Sequence, residues 1–260
     1  MLEVSREGAV LILRFNSPET KNALTPDTME ELIATLGTTA TDNAVKAAIL
    51  TGAPPVFTSG MQLDVFHDHR SPQARKILHE FVPRMLRGFI DYPKPWIAAV
   101  NGPGVGFGAT ICGLADITLM GASAKLRAPF GALAVVPEAG STVTFPQLMG
   151  YQAAMWTLLG GEWMDAEACV RQGLAVDVFP DDDLMEEAMR RAKVIARGAL
   201  PAVLATKELL NRERRTQLHA ANDAELKRFV ELQNQPTFAE AMAAMKERRA
   251  PDFAQFETES

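Results

Sequence analysis

Cysteine is scarce in this chain of 260 residues, which has only Cys112 and Cys169. Both lie in apolar helical surroundings, a pattern typical of a reduced cytoplasmic protein and not of a disulfide framework. No uninterrupted apolar segment is long enough to span a membrane, and no charged leader followed by an apolar run opens the sequence. The final Thr258-Glu259-Ser260 is no peroxisomal targeting signal. We therefore expect a soluble cytoplasmic protein.

Positive charge is outnumbered: 26 lysines and arginines face 32 acids, for a formal charge of -6. This balance weighs against a nucleic-acid-binding surface. The apolar content of 47% and the charged content of 22% are those of an ordinary globular protein. The length suffices for one large domain, or for a domain with a helical appendage.

Charge is almost absent from one internal stretch, where Glu138 is the only charged residue between Arg127 and Glu162. A carboxylate among apolar and small neutral residues is poorly hydrated, so its pKa should rise toward neutrality. A general base works best with a pKa near the operating pH. Glu138 is therefore either a catalytic base or an acid in a surface loop.

Short apolar runs with β-branched residues predict strands buried on both faces. There are five: Ala9 to Phe15, Val45 to Leu50, Trp96 to Val100, Ile117 to Met120 and Leu174 to Phe179. Helical patterns lie between them, so the strands alternate with helices and predict an α/β fold.

Capping residues and periodicity predict three helices up to residue 200. The first begins at Thr25-Pro26-Asp27, the second runs from Ser71 to Ile90, and an amphipathic one runs from Asp181 to Gly198. Beyond Leu200 only helical patterns remain, interrupted by Pro201, Pro236 and Pro251. We thus divide the chain into a core of residues 1–200 and a helical region of residues 201–260.

The pattern from Arg212 to Gln233 combines many charges with an apolar stripe of Leu218, Leu226, Phe229 and Leu232. It predicts either a solvated surface helix or one that packs against another subunit.

Glycines follow two of the predicted strands. The turn from Asn101 to Thr110 can present unpaired backbone N–H groups at a helix start, a natural oxyanion site. Its Gly104 to Ala109 also fits a dinucleotide-binding pattern, but no acid follows the next strand, as that fold requires. The loop from Thr51 to Met61 ends similarly, with Gly60. Two such turns could converge on one carbonyl oxygen.

Several segments together resemble the enoyl-CoA hydratase/isomerase, or crotonase, superfamily. The matching stretches are Asn16 to Leu24, Phe57 to Leu63, Lys94 to Gly102, Ala115 to Ile117 and Gly173 to Asp177. The likeness covers about residues 5 to 210 in consistent order. The resemblance implies a crotonase-like spiral of ββα turns with a carboxy-terminal helical trimerisation region, assembled as a homotrimer or a dimer of trimers.

The resemblance also implies an acyl-CoA thioester substrate and no separate cofactor, because coenzyme A is part of the substrate. The thioester oxygen would be held by the backbone N–H groups of Met61 and Phe107, and Lys21 would lie near the CoA phosphates. The residues expected to bind substrate are Lys21, Ser59, Gly60, Leu63, Gly106, Gly108 and Phe130.

The reaction depends on where the carboxylates are. Enoyl-CoA hydratases carry two glutamates at places that here hold Thr110 and Phe130. The stretch from Val136 to Thr142 is instead similar to the Δ3,Δ2-enoyl-CoA isomerase branch, in which one glutamate after a proline is the base. The resemblance thus assigns Glu138 as sole base. A hydratase or other crotonase reaction using Glu138 with water or Asp64, and a non-catalytic acyl-CoA-binding protein, remain alternatives.

The remaining candidates are weaker. Five apolar side chains could surround an acyl chain or could simply be core: Phe66, Phe81, Met85, Phe130 and Val135. His67 and His69 lie near the same loop, but no third ligand at a recognisable spacing completes a metal site. Asp116, just before a strand, is expected to hold turn geometry.

Overall fold

The computed structural model describes residues 1–62 and 71–259, which form a mixed α/β fold. The strands are β1 Leu2–Glu7, β2 Val10–Phe15, β3 Ala47–Gly52, β4 Trp96–Val100, β5 Gly104–Val105, β6 Ile117–Gly121, β7 Lys125–Arg127, β8 Trp163–Asp165 and β9 Asp177–Phe179. The α-helices are α1 Pro26–Thr41, α2 Pro72–Lys76, α3 Val82–Asp91, α4 Phe107–Leu114, α5 Ser141–Met149, α6 Tyr151–Met155, α7 Ala166–Gln172, α8 Leu184–Ala196, α9 Leu200–Gln233 and α10 Pro236–Glu247. The predicted α/β class is confirmed.

The main sheet has six strands in the order β1-β2-β3-β4-β6-β9. Only the β1–β2 pair is antiparallel, and β2 to β9 run parallel. All five predicted strands are present, with ends that differ by a few residues. Every residue of β3 and β4 is buried, as their continuous apolar sequences predicted.

Both faces of this sheet are covered. One face, which includes Ile49 and Ile97, packs against Leu184 and Ala188 of α8 in a small apolar cluster. The opposite face, which includes Leu50 and Ala98, belongs to the main core with the remaining helices. The apolar residues of α8 therefore cover one face of the sheet, and the glycine turns follow the ends of β3 and β4.

Four strands were not predicted. The edge strand β1 has one buried residue, Leu2, so it gives no apolar signal. The other three, β5, β7 and β8, form a separate small sheet of two- and three-residue strands, too short to show a periodicity.

The predicted helix starts are present, with one interruption. Thr25 and Ser71 cap α1 and α2, each by accepting a hydrogen bond from a backbone N–H three residues later. The predicted helix from Ser71 to Ile90 contains a π-helical turn, Ile77–Phe81, between α2 and α3. The turn keeps Ile77, Leu78 and Phe81 buried.

Helix α9 is longer than predicted, because it begins at Leu200 and not at Arg212. Pro201 lies in its first turn, where a missing N–H costs no hydrogen bond, so this proline starts the helix instead of interrupting it. The helix packs against α3 and α5 of its own chain, and α10 folds back against it. Among the helices of the described ranges, none is both long and apolar enough to cross a membrane.

Candidate active site

The first glycine turn carries β4 through β5 into α4. Gly106 has φ 56° and ψ −114°, a conformation that excludes an ordinary side chain and starts α4 at Phe107. The carbonyl of Gly106 then accepts hydrogen bonds from the N–H groups of Ala109 and Thr110. The Phe107 N–H is at the helix start, and within the described part of the chain it donates to no other group.

The second glycine turn, which ends at Met61, is held by two backbone hydrogen bonds to Leu24. The Leu24 N–H donates to the Gly60 carbonyl at 2.8 Å, and the Gln62 N–H donates to the Leu24 carbonyl at 3.1 Å. This pairing uses alternate groups of an extended strand, so the Met61 N–H lies on its other edge. That N–H also has no partner among residues 1–62 and 71–259.

The two turns lie directly against each other. The Val105 N–H donates to the Thr58 carbonyl at 3.0 Å. A Cβ atom added to Gly60 would lie 2.5 Å from the Val105 oxygen and 3.3 Å from the Phe107 nitrogen. One added to Gly108 would lie 2.7 Å from the Thr58 oxygen. Glycine at both positions therefore permits the close approach of the two turns, which carry Met61 and Phe107.

Glu138 is buried beside these turns, with 9% of its surface exposed. The Thr110 hydroxyl lies 2.5 Å from its Oε1 atom, and no group in the described ranges contacts Oε2 by a hydrogen bond. Burial raises the pKa of Glu138 to about 8; the Thr110 hydrogen bond lowers that pKa, and the charge of Glu225 raises it further. The sequence prediction of a desolvated acid with a raised pKa agrees with this geometry.

Glu225 of α9 holds the segment that carries Glu138. Its carboxylate accepts hydrogen bonds from the backbone N–H of Gly140 at 2.8 Å and of Thr142 at 3.0 Å, and from the Thr142 hydroxyl. Gly140 is the N-cap residue of α5 and Thr142 lies in its first turn, so Glu225 satisfies helix-start donors from another element. Burial raises the pKa of Glu225, and these hydrogen bonds lower it.

A cavity of about 60 Å³ joins these groups. Its walls consist of Ser59, Gly60, Met61, Val105, Gly106, Phe107, Pro129, Phe130, Leu133, Val135, Glu138, Phe229, Gln233, Phe238 and Met242. Glu138 is the single carboxylate among these described walls. A second, water-sized space of about 10 Å³ lies between Glu138, Met61 and the α3–α9 contact.

Most of the predicted site residues meet at this cavity, including Met61, Phe107, Glu138, Phe130 and Val135. Four do not line it. Gly108 faces Thr58, Phe81 and Met85 are buried in the core, and the Lys21 side chain is exposed. Lys21 is nevertheless adjacent, since its carbonyl accepts the Ser59 N–H at 2.9 Å. The predictions made for Leu63, Asp64, Phe66, His67 and His69 lie outside the described residues.

Sequence reasoning missed the contribution of the carboxy-terminal helices. Phe229 and Gln233 of α9 and Phe238 and Met242 of α10 form one wall of the cavity. The apolar stripe assigned to α9 contained Phe229, but this helix was expected to face solvent or another subunit. Its spacing signal was present: Leu218, Asn222, Glu225, Phe229 and Gln233 recur on one face.

Other charged residues serve the fold. Asp116 accepts a hydrogen bond from the Trp96 N–H at 2.8 Å and pairs with Lys207 at 2.7 Å, which agrees with the structural role expected for it. Within the described ranges, no group of three histidine, cysteine or acidic side chains could hold a metal ion.

A buried acid of raised pKa that shares a cavity with two residues whose backbone N–H groups have no partner in the described ranges is typical of an enzyme active site. Comparison with known proteins agrees with this class. The family model described as Enoyl-CoA hydratase/isomerase matches residues 5–256. The chain belongs to the enoyl-CoA hydratase/isomerase family.

Some individual relatives are named isomerases and others are named hydratases. Enoyl-CoA delta isomerase 2 of Rattus norvegicus is 35% identical over 228 residues, covering 85% of this chain and 57% of its own length. The chain thus spans little more than half of that relative. The 2,3-dehydroadipyl-CoA hydratase of Escherichia coli (strain K12) is 31% identical, covering 97% and 98% of the two chains. A solved enoyl-CoA hydratase/isomerase from Pseudoalteromonas atlantica T6c has a TM-score of 0.89 and 33% identity, covering 97% and 99%.

Proposed function

We propose that this protein is an acyl-CoA double-bond isomerase that moves a 3-enoyl double bond to the 2 position, with Glu138 as its single base. The observation that carries the proposal is the environment of Glu138. It is the one carboxylate in the described walls of a cavity that Met61 and Phe107 also line. Its pKa of about 8 suits a group that must both take and return a proton near neutral pH.

The proposed reaction is a proton transfer in two halves. Oε2 of Glu138 removes the proton from C2 of the 3-enoyl thioester, and the electron pair delocalises into a dienolate. The Met61 and Phe107 N–H groups stabilise the negative charge on the thioester oxygen, each contributing about 3–4 kcal/mol by analogy with other oxyanion holes. Glu138 then donates the same proton to C4, and the double bond is conjugated with the thioester.

The proposal requires no second acid and no cofactor beyond the CoA part of the substrate. Thr110, at one of the places where hydratases carry a glutamate, instead contacts Glu138. Phe130, at the other place, is an apolar wall of the cavity. Water addition by two acids therefore has no support from the described site, although the Escherichia coli relative is named a hydratase.

We further propose that the thioester lies over the turns at Ser59, Gly60 and Gly106, with the exposed Lys21 near the CoA phosphates. Lys21 and Ser59 are joined through their backbones, so the cation is adjacent to the turn that supplies the Met61 N–H. The two free, buried cysteines support the cytoplasmic setting expected from the sequence.

We also propose a homotrimer or a dimer of trimers. Exposed apolar side chains support it, among them Tyr151, Trp156 and Leu159 near α6 and Leu209 and Leu210 on α9. Sedimentation equilibrium of the purified protein tests the assembly, and a monomeric mass at working concentrations would overturn it.

One assay tests the reaction. Purified wild type and Glu138→Gln are given a 3-enoyl-CoA and, separately, a 2-enoyl-CoA, and the ultraviolet absorbance of the conjugated thioester is followed. We expect isomerisation by wild type and a loss of about 10²–10⁴-fold in Glu138→Gln. Glu162→Gln, the same change at an exposed residue, is the control and should retain full activity.

Three outcomes would contradict the proposal. Isomerisation that survives unchanged in Glu138→Gln would exclude Glu138 as the base. Faster hydration of the 2-enoyl-CoA would favour a hydratase. Saturable binding of both esters without turnover would indicate an acyl-CoA-binding protein.

A further inference from the structure

The buried face of α9 is unusually polar. Five residues with helical spacing are almost inaccessible: Leu218, Asn222, Glu225, Phe229 and Gln233, exposed by 4%, 2%, 5%, 6% and 3%. Three of the five are polar, whereas the face of a helix that packs on a core is normally apolar. Glu225 is accounted for by its hydrogen bonds to Gly140 and Thr142.

Unlike Glu225, the two amide side chains on this face each have an unpaired nitrogen. The Nδ2 atom of Asn222 and the Nε2 atom of Gln233 are buried without a hydrogen-bond partner in the described part of the chain. Burying an amide without a partner costs about 1–3 kcal/mol, so nearly all such groups in folded proteins are satisfied. A group left unpaired beside a cavity is accounted for if a bound ligand completes it.

Gln233 lies where a ligand could reach it. Its side chain lines the same cavity as Glu138, Met61 and Phe107. Its neighbours on that wall are Phe229, Phe238 and Met242, so the amide is a polar group set among apolar ones. Cavities that recognise small molecules have this composition, in which a few polar atoms fix the ligand.

We propose that Gln233 is a ligand-binding residue that donates a hydrogen bond to a neutral acceptor oxygen of the bound thioester, other than the thioester oxygen itself. This inference rests on the proposed function, which assigns the thioester oxygen to Met61 and Phe107. The acceptor is neutral because the described cavity walls contain no lysine or arginine to offset a carboxylate. It belongs either to an oxo or hydroxyl substituent of the acyl chain or to an amide carbonyl of the pantetheine arm.

Binding of saturated esters tests the inference without any turnover. Titration calorimetry compares hexanoyl-CoA, 5-oxohexanoyl-CoA and adipoyl-CoA on wild type, Gln233→Met and Gln233→Leu. Methionine has nearly the volume of glutamine but no donor. Gln235→Met, an exposed position two residues away, is the matched control.

Comparison of the three esters distinguishes between the two possible sources of the acceptor oxygen. If the acyl chain supplies it, wild type should bind the oxo ester roughly tenfold more tightly than hexanoyl-CoA, and Gln233→Met should abolish that preference. If the pantetheine arm supplies it, Gln233→Met should weaken all three esters by a similar factor. Unchanged affinity for every ester in both variants, or a preference for the charged adipoyl ester, would overturn the inference.

A merely structural role is excluded by a separate measurement. If Gln233 serves a ligand, replacing its unpaired amide with methionine should leave the unfolding temperature of the ligand-free protein unchanged or higher. A lower unfolding temperature, with no selective change in affinity, would also overturn the inference. Since none of these esters reacts, a failed isomerase assay would leave the binding result interpretable by itself.

Discussion

The Thr110 hydroxyl contacts Oε1 of the Glu138 carboxylate at 2.5 Å, while Oε2 has no hydrogen-bond partner in the described ranges. A hydroxyl can donate to Oε1 of an ionised carboxylate, and it can still donate to Oε1 when the proton is on Oε2, because Oε1 then remains an acceptor. Thr110 can therefore hold the same oxygen before and after proton transfer. This contact makes the two oxygens of Glu138 different, and in the proposed mechanism the unpaired Oε2 is the one that takes the proton.

Removal of this anchor should slow the reaction and shift its pH dependence. In Thr110→Val the carboxylate loses the hydrogen bond that lowers its pKa, so its pKa should rise above about 8. The acidic limb of kcat/KM should move to higher pH, with activity at pH 7 reduced about 10- to 100-fold. A pH–rate profile of the two proteins measures both effects.

Thr110→Ser is the control, because serine keeps the hydroxyl. It should retain the wild-type pH profile. A profile of Thr110→Val that coincides with wild type would show that the contact does not act on the base.

Replacement of Glu225 should move the acidic limb of the kcat/KM profile to lower pH, opposite to the effect of Thr110→Val. The charge of Glu225 raises the pKa of Glu138, so Glu225→Gln should lower that pKa and extend activity to lower pH. The oxygen of glutamine can accept from Thr142, but its NH₂ group would face the Gly140 N–H. Two donors cannot bond each other, so the loss of this hydrogen bond costs about 1–3 kcal/mol of folding stability. Thermal unfolding and a pH–rate profile measure the two effects.

The matched control is Glu213→Gln, an exposed acid on the same helix. It should change neither quantity. A shift of the Glu225→Gln limb toward higher pH would contradict the electrostatic account.

The base should also destabilise the folded protein at alkaline pH. Between its ordinary pKa of 4.5 and its folded pKa of about 8, Glu138 keeps a proton in the folded state that the unfolded chain releases. Stability from this group is therefore complete below pH 4.5 and is lost as pH rises through 8, by up to about 4–5 kcal/mol. Glutamine cannot ionise, so Glu138→Gln should unfold at a higher temperature than wild type, with a gap that widens from pH 5 to pH 9.

Scanning calorimetry at several pH values tests this. Glu162→Gln should track wild type throughout. A gap that is constant with pH would mean that Glu138 is ionised in the folded protein across the whole range.

Gly60 should tolerate no side chain. In Gly60→Ala the new Cβ would meet the Val105 oxygen at 2.5 Å and crowd the Phe107 nitrogen, at a residue with φ 82°. Moving the turns apart to relieve this contact should separate the two N–H groups and lower kcat by about 10²–10³-fold. Kinetics with a 3-enoyl-CoA and thermal unfolding measure the effects.

Gly8→Ala isolates the backbone contribution. Gly8 has a similar positive φ of 59° but nothing within 4 Å of its Cβ position. Its substitution should cost about 1–2 kcal/mol of stability and leave kcat unchanged. Full activity in Gly60→Ala would show that the close approach of the turns is not needed.

The sequence predicted those parts of the fold whose signals are local. The central strands are continuous apolar runs, and Glu138 is conspicuous because charge is absent around it. The small sheet was missed because its strands are two or three residues long. The polar edge strand β1 was missed because only Leu2 of its residues is buried.

The partners of Glu138 could not be predicted, because they depend on packing between distant segments. Thr110 lies 28 residues before Glu138 in sequence and was considered only as the place of a missing acid. Glu225 bonds Gly140 across 85 residues and lies in a helix that looks solvated from its many charges. The sequence contained one signal that this helix is buried: polar residues recur at helical spacing with two apolar ones. These residues are Leu218, Asn222, Glu225, Phe229 and Gln233.

Because α9 lies late in the chain, the surroundings of Glu138 are completed late in synthesis. Residues 58–138, with both glycine turns and Glu138 itself, leave the ribosome well before Glu225 and Phe229. Phe229 and Gln233 of α9 form part of the cavity wall beside Glu138, so before α9 docks we expect water to reach the carboxylate and to keep its pKa near the ordinary value. The raised pKa of Glu138 is therefore a property of the completed fold, and we expect it to arise only once the last helices have docked.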